Sequence, residues 1–212
     1  MSVLSRLTSS PDRRARIRSA LKAVGFDTTD WVRVVMYRRC FEFIRSLGPH
    51  ELDALEIAAG PQWVRELTFR SYTPTQYPHF DICDDVLDRR FDVIIADQVF
   101  EHLKSPRRAA QNVYEMLKLG GHFVITTPFL IRVHESPIDC SRWTETGLSY
   151  LLQEAGFLES DIVTESWGNR ACVAANFSRW PKYGWGRSLR NEPNFPVMVW
   201  AYARKSVQAQ PR

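Results

Sequence analysis

The spacing of apolar positions changes near residue 50. Before that point it is helical. Ser9 or Ser10 followed by Pro11 and Asp12 makes a helix start, and Ile17, Leu21 and Val24 form a stripe that stops at Gly25. A second helix is expected from Asp30 to about Gly48, with Trp31, Val34, Val35, Cys40, Phe41 and Ile44 facing inward. Beyond residue 50, short apolar runs alternate with helical stretches. "DALEIAA" (53–59), "FRSYTPT" (69–75), "HFDIC" (79–83), "FDVIIAD" (91–97), "HFVITTP" (122–128), "DIVTESW" (161–167) and "VMVWAYAR" (197–204) predict strands. The run at 91–97 is continuously apolar and β-branched, which marks a central strand buried on both faces. Helices are expected at "QWVRELTF" (62–69), from Ser105-Pro106 to the stop at Gly120-Gly121, and from the cap Thr144 to Gly156.

Strands alternating with helices imply an α/β fold, a mostly parallel sheet wound with helices on both faces. Such sheets bind ligands beyond the carboxyl ends of their strands. Here those places follow residues 57, 73, 82, 96 and 127, and polar or turn-forming residues follow each. The stretch 168–196, rich in aromatics and arginine, predicts no regular element.

Composition adds limits. The 212 residues are 44% hydrophobic and 25% charged, an ordinary soluble composition long enough for one substantial core. No segment approaches the roughly 18 apolar residues of a membrane span. The first ten residues lack a continuous apolar region of the signal-peptide kind. Cys40, Cys83, Cys140 and Cys172 are far apart and match neither a zinc pattern nor a small disulfide framework, which suggests a reducing cytoplasm. The net charge of +4 gathers at "PDRRARIR" (11–18) and at Arg179, Lys182, Arg187 and Arg190. No nucleic-acid module accompanies either cluster, so nucleic acid is not the expected partner. A small-molecule substrate is expected, and a homodimer is compatible with the composition.

Four segments together carry a resemblance: "LEIAAGPQ", "FDVIIADQVFEHL", "NVYEMLKLGGHFVITTPF" and "DCSRWTETGLSYLLQEAGF". In order and spacing, over about residues 50–160, they resemble class I S-adenosylmethionine-dependent methyltransferases. The nearest likeness is to the small-molecule type of saccharide and cell-envelope pathways. The resemblance implies a Rossmann-like, doubly wound, mostly parallel sheet of seven strands, with an N-terminal helical preface and an antiparallel last strand. It implies a single domain over 1–212: a helical cap (1–50), a cofactor-binding core (51–160), and C-terminal strands with a substrate-side lid (161–212).

The resemblance also assigns roles. Glu56 would end the first strand and help hold the ammonium group of S-adenosylmethionine. The turn after it would use Ala58 and Gly60, where the family commonly has more glycines. Alanine suits position 58 if its φ is negative. A ligand without phosphates needs a glycine-rich cradle less than a dinucleotide does. The second strand would end near the ribose, but no acid stands there, leaving Tyr72 or Thr73 with Thr75 and Gln76 nearby. Asp81 would accept from the adenine amino group with Ile82 against the ring. Asp97 and Gln98 would border the methionine portion, with Glu101 and His102 on the same wall.

The family's chemistry is in-line methyl transfer, for which the cofactor supplies the reactivity. The protein must align the nucleophile and, for a hydroxyl or neutral amine, handle its proton. Within "TTPFLIRVHESPIDCSRW" (126–143), His134 is a candidate general base oriented by Asp139, with His102 an alternative. Asp139 and Arg142 could instead pair to hold the loop shut. No dedicated metal cluster is apparent, so metal-independent transfer is expected. The expected acceptor is an oxygen, or secondarily a nitrogen, of a saccharide-like small molecule. Trp167, Trp180 and Trp185 beside Arg179 and Arg187 suit a sugar or glycoconjugate as well as a plain apolar cover. An RNA or protein methyltransferase, or a non-catalytic domain of the same fold, are the competing readings.

Overall fold

The computed structural model describes residues 29–135 and 137–206. The expected helix of residues 9–25 lies outside them. A 3-10 turn at Trp31–Arg33 leads into helix α1 (Val34–Ser46), as the second apolar stripe predicts. Strand β1 (Asp53–Ile57) follows, then the short helix α2 (Gln62–Glu66), β2 (Ser71–Pro74), β3 (Phe91–Asp97) and helix α3 (Pro106–Met116). Strand β4 (Leu117–Pro128), helix α4 (Glu145–Glu154), β5 (Ile162–Trp167), helix α5 (Arg170–Ala175) and β6 (Met198–Arg204) complete the chain.

The strands form one sheet in the order β2-β1-β3-β4-β6-β5. β2, β1, β3 and β4 run parallel, and β6 pairs antiparallel with both β4 and β5. Alternation along the strands sends neighbours to opposite faces. On one face Leu55, Ile57, Ile94, Ala96, Phe123 and Ile125 pack with Ala109, Val113 and Met116 of α3 and Leu148 and Leu152 of α4. On the other, Ala54, Val93, Ile95, Val124 and Trp200 meet Met36, Cys40 and Ile44 of α1 together with Trp63. Thr144 caps α4 as expected, its hydroxyl accepting from the Gly147 N–H at 3.1 Å.

Two expectations are corrected. Among the described residues the sheet has six strands, because "HFDIC" is a turn. Phe80 and Ile82 do point into the core at 9% and 2% exposure, which is what gave the segment its strand-like alternation. Asp81 breaks it: its Oδ1 accepts from the Cys83 N–H at 2.9 Å, and its carbonyl accepts from the N–H groups of Asp84 and Asp85. A side chain satisfying nearby backbone in this way competes with ladder pairing. Second, α3 ends at Met116, not at the glycine pair. Gly120, at φ +81, lies within the early part of β4, next to a register shift between β3 and β4.

At the opposite edge the chain leaves β5 at Gly168, runs through α5, and returns at Val197. Segment 168–196 is tied to the start of the described chain. Trp31 N–H donates to the Pro181 carbonyl at 2.8 Å and Tyr183 N–H to that of Thr29 at 2.9 Å. Lys182 Nζ meets Asp30 at 2.8 Å, and Trp31 Nε1 donates to Ser188 at 3.1 Å.

Gly168 makes this exit possible. A Cβ there would lie 2.0 Å from the Phe195 carbonyl oxygen and 2.5 Å from the Val197 nitrogen, both main-chain atoms that cannot swing aside. Gly168→Ala is expected to lower stability by roughly 2–4 kcal/mol in chemical denaturation, in the range of steric overpacking or worse. Gly184→Ala, where nothing lies within 4 Å, is expected to change it by under about 0.5 kcal/mol.

Candidate active site

The carboxyl end of β1 is organised by a buried acid. Glu56 is 1% exposed, on the α1 face where the strand alternation calls for an apolar side chain. Its Oε1 accepts from the Gly60 N–H at 2.8 Å and its Oε2 from the Tyr72 hydroxyl at 2.6 Å. Burial pushes its carboxyl up, and these two donors oppose the rise. The turn beyond is closed by Thr75, whose N–H and hydroxyl both donate to the Glu56 carbonyl, while the Ala59 N–H donates to the Thr75 carbonyl. Ala58 has φ +53, not the negative value expected for alanine. The left-handed conformation costs a residue with a Cβ about 1–2 kcal/mol, which the surrounding hydrogen bonds offset. Thr73 is engaged elsewhere, its hydroxyl accepting from Arg89 at 3.3 Å.

The end of β3 is a second junction. Asp97 Oδ2 accepts from Tyr37 of α1 at 2.8 Å and from the Trp63 indole at 3.3 Å; its Oδ1 accepts from Thr126 of β4 at 2.7 Å. The Thr126 oxygen in turn accepts from both the backbone and the side-chain nitrogen of Gln98. Gln98, like Ala58, has positive φ, at +58. Two adjacent strands thus leave the sheet through left-handed residues.

Between and above them lies a cavity of about 650 Å³, within the usual size of small-ligand sites. One wall is Ile57, Ala58, Phe80 and the Asp81–Asp84 turn. The other is Gln98, Val99 and His102–Ser105, with Pro137 and Ile138. Of the residues singled out in the sequence, Ala58, Asp81, Ile82, Gln98 and His102 line this cavity. Glu56 and Gly60 shape the turn beneath Ala58, and Asp97 fastens the β3 end to its neighbours. Tyr72 turns to Glu56, and Thr73 to Arg89.

The loop 129–143 brings His134 to His102. Their rings meet edge to face with centroids 5.1 Å apart, and His134 also meets Trp180 at 5.7 Å. Arg132 stacks over Trp180 at 4.7 Å. Burial lowers the His134 pKa below its ordinary value. Asp139 does not orient the imidazole, as expected of a base's partner. It accepts from the His134 main-chain N–H at 2.9 Å and from both terminal nitrogens of Arg142. Burial alone would raise the Asp139 carboxyl, but these donors hold it below the usual carboxylate range. The loop-closing alternative describes this geometry.

Beside the two imidazoles stands Glu101, fully buried, with neither carboxylate oxygen hydrogen-bonded. Burial pushes its carboxyl up to about 8. Sequence reasoning placed Glu101 on this wall without a role. The pattern offered one signal, an acid–histidine pair one turn beyond a central strand. Tyr37, Trp63 and Thr126 were missed as site-forming residues because they come from three separate elements.

A family model described as a methyltransferase domain matches residues 16–158. The chain belongs to this family: it is a class I S-adenosylmethionine-dependent methyltransferase. S-adenosylmethionine is accordingly its methyl donor. No curated protein matches the methyltransferase in sequence. A Clostridium acetobutylicum S-adenosylmethionine-dependent methyltransferase is similar in structure, with 10% identity, a TM-score of 0.53, and 92% of this chain and 99% of that one covered. A Haemonchus contortus phosphoethanolamine N-methyltransferase, solved with phosphomonomethylethanolamine and S-adenosylhomocysteine, has 13% identity and a TM-score of 0.54. That match covers 81% of this chain and 53% of that one. At such identities the likeness shows the shared fold. In this methyltransferase no helix among the described residues is long and apolar enough to cross a membrane.

The Asp97 junction yields a test. Asp97→Ala strands the donors of Tyr37, Trp63 and Thr126 and is expected to cost roughly 2–4 kcal/mol, whereas Tyr37→Phe, which removes one donor, should cost about 1 kcal/mol. Urea unfolding of the two variants measures the difference.

Proposed function

We propose that this methyltransferase transfers the methyl group of S-adenosylmethionine to an oxygen, or secondarily a nitrogen, of a saccharide-like small molecule. The observation that carries the reading is the cavity's two-sided lining. Its β1 side offers an apolar and acidic pocket, Ile57, Ala58, Asp81 and Ile82; its β3 side opens on His102. On this reading the adenine amino group donates to Asp81 and the ring lies against Ile82. The methionine end extends over Gln98 towards His102. Ala58 brings the backbone of the β1 turn close to the cofactor, with Glu56 and Gly60 holding that turn in place. The ribose partner comes from the segment after β2, near Tyr77, which lines the cavity.

The acceptor then sits against His102 and His134, beneath Trp180 and Arg132, a stacked aromatic and cation that suit a sugar face. Its proton is handled by the imidazole cluster. The balance is simple: the acceptor oxygen's lone pair forms the new C–O bond, and the C–S pair returns to sulfur. The hydroxyl proton leaves to solvent through the cluster. All four cysteines are unpaired, which agrees with work in a reducing cytoplasm.

Calorimetry and a methyl-transfer assay test this together. Asp81→Ala removes a charge-assisted acceptor worth about 1.5–3 kcal/mol and should weaken S-adenosylhomocysteine binding by roughly 10–100-fold. His134→Ala should leave that affinity within about twofold while lowering kcat by roughly 100-fold or more. Normal turnover in His134→Ala would remove the acceptor from this wall, and undiminished affinity in Asp81→Ala would remove the adenine from its pocket.

A further inference from the structure

We infer that Glu101, His102 and His134 form a binding site for a divalent transition-metal ion at the acceptor end of the cavity. The three residues each offer one ligand atom, and those atoms lie within 4.8 Å of one another. His102 Nε2 is 3.7 Å from Glu101 Oε1. That is too long for a hydrogen bond, but close to the separation of about 3.4 Å that two ligands of a tetrahedral ion have when each bond is about 2.1 Å. The His134 donor lies within 4.8 Å of the other two, so a movement of no more than about 1.4 Å would bring it to the same range.

Two independent observations point to a ligand here. The first is Glu101 itself. A carboxyl group at 0% exposure whose two oxygens both lack a hydrogen-bond partner is an expensive arrangement in either protonation state, since a buried polar group left unpaired costs about 1–3 kcal/mol and an unpaired charge more. Of the groups that favour its charged form, its own main-chain N–H comes first, and Arg142 and Arg33 act only at a distance. A cation between Glu101 and the imidazoles compensates it directly.

The second is the tether on His102. Its Nδ1 contacts the Ile138 carbonyl, which can only accept, so Nδ1 carries a proton and, in the neutral ring, the lone pair is on Nε2. Ligating histidines are held in this way, donating the far ring N–H to a carbonyl or carboxylate. The lone pair so fixed faces Glu101.

The donor set selects the ion. Two imidazoles and one carboxylate suit zinc and its first-row neighbours, whereas magnesium and calcium take mostly oxygen. Three protein ligands leave a coordination position open, and because His102 lines the cavity that position faces the acceptor. There the ion would orient an acceptor oxygen and make its proton easier to lose to solvent, taking the place of direct proton transfer to an imidazole whose lone pair it occupies. This role rests on the methyl-transfer reading; the site itself does not.

The test uses the full chain freed of metal by chelation. Calorimetry with Zn2+, and visible absorption with Co2+, are expected to show one ion per chain. Glu101→Gln, nearly the same shape, and His134→Ala should each weaken Zn2+ binding by at least roughly 100-fold, with the fold checked by circular dichroism. His50→Ala, at an exposed position, should not. Absence of stoichiometric binding, or binding unchanged in both Glu101→Gln and His134→Ala, overturns the site. If Glu101→Gln fails to fold, His134→Ala decides. A chain that binds Zn2+ at these residues but transfers no methyl group supports the site while refuting the acceptor reading. One that transfers methyl at full rate without metal or Zn2+ affinity refutes the site alone.

Discussion

Asp97 holds the molecule's working end together. Its carboxylate takes one donor each from the first helix, the short helix after β1 and the neighbouring strand β4. These elements approach from different directions, and only an acceptor with two oxygens can receive all three. With Thr126 fixed, Gln98 is drawn into its left-handed conformation, and the backbone leaves β3 along the cavity wall. The 3-10 turn that carries Glu101 and His102 follows at once. The position of the imidazole cluster therefore descends, residue by residue, from an acid that does not line the cavity.

Glu56 performs the parallel service one strand away. It ties the turn after β1 to Gly60 and to Tyr72 on β2, and so sets the height of Ala58 above the sheet. Both acids sit at the carboxyl end of the sheet, where the parallel strands leave backbone N–H groups and side chains converging. The opposite end is closed by a different device, Lys118 bridging Asp53 and Asp92 at 2.9 and 2.8 Å with Arg70 alongside. One end of the sheet is pinned by half-buried ion pairs, and the other by one buried and one half-buried acid whose donors are neutral side chains and backbone.

Much of this architecture was legible in the pattern of residues. Strands β1, β3, β4, β5 and β6 and helices α1, α3 and α4 follow from periodicity and caps, because in each the apolar face is long enough to outweigh local alternatives. The segment 79–83 was misread for a physical reason: Phe80 and Ile82 alternate like a strand, but Asp81 satisfies its own neighbours' N–H groups before a partner strand can. The backbone sign at Ala58 was not legible either, since alanine adopts positive φ only when the fold imposes it. The site was half visible. Single residues at strand ends could be named, but His102 and His134 lie 32 positions apart, and nothing in their spacing announces that their rings touch. Spacing offered the Asp139–Arg142 pair as one of two alternatives, but did not reveal that Asp139 would also accept from the His134 main-chain N–H.

The stitching between residues 29–31 and 181–188 has a mechanical consequence. Trp180 rests on His134, and its neighbours Pro181, Lys182 and Tyr183 are bonded to the chain just ahead of α1. The cover on that side cannot swing outward unless those bonds part and the seat of the first helix loosens with it. The cavity lining away from that side includes Tyr77, 70% exposed, and Lys104, which no such bonds tie to the start of the described chain. The histidines therefore lie on the fastened side of the cavity, where the loop after β4 and the start of the described chain are bonded to one segment.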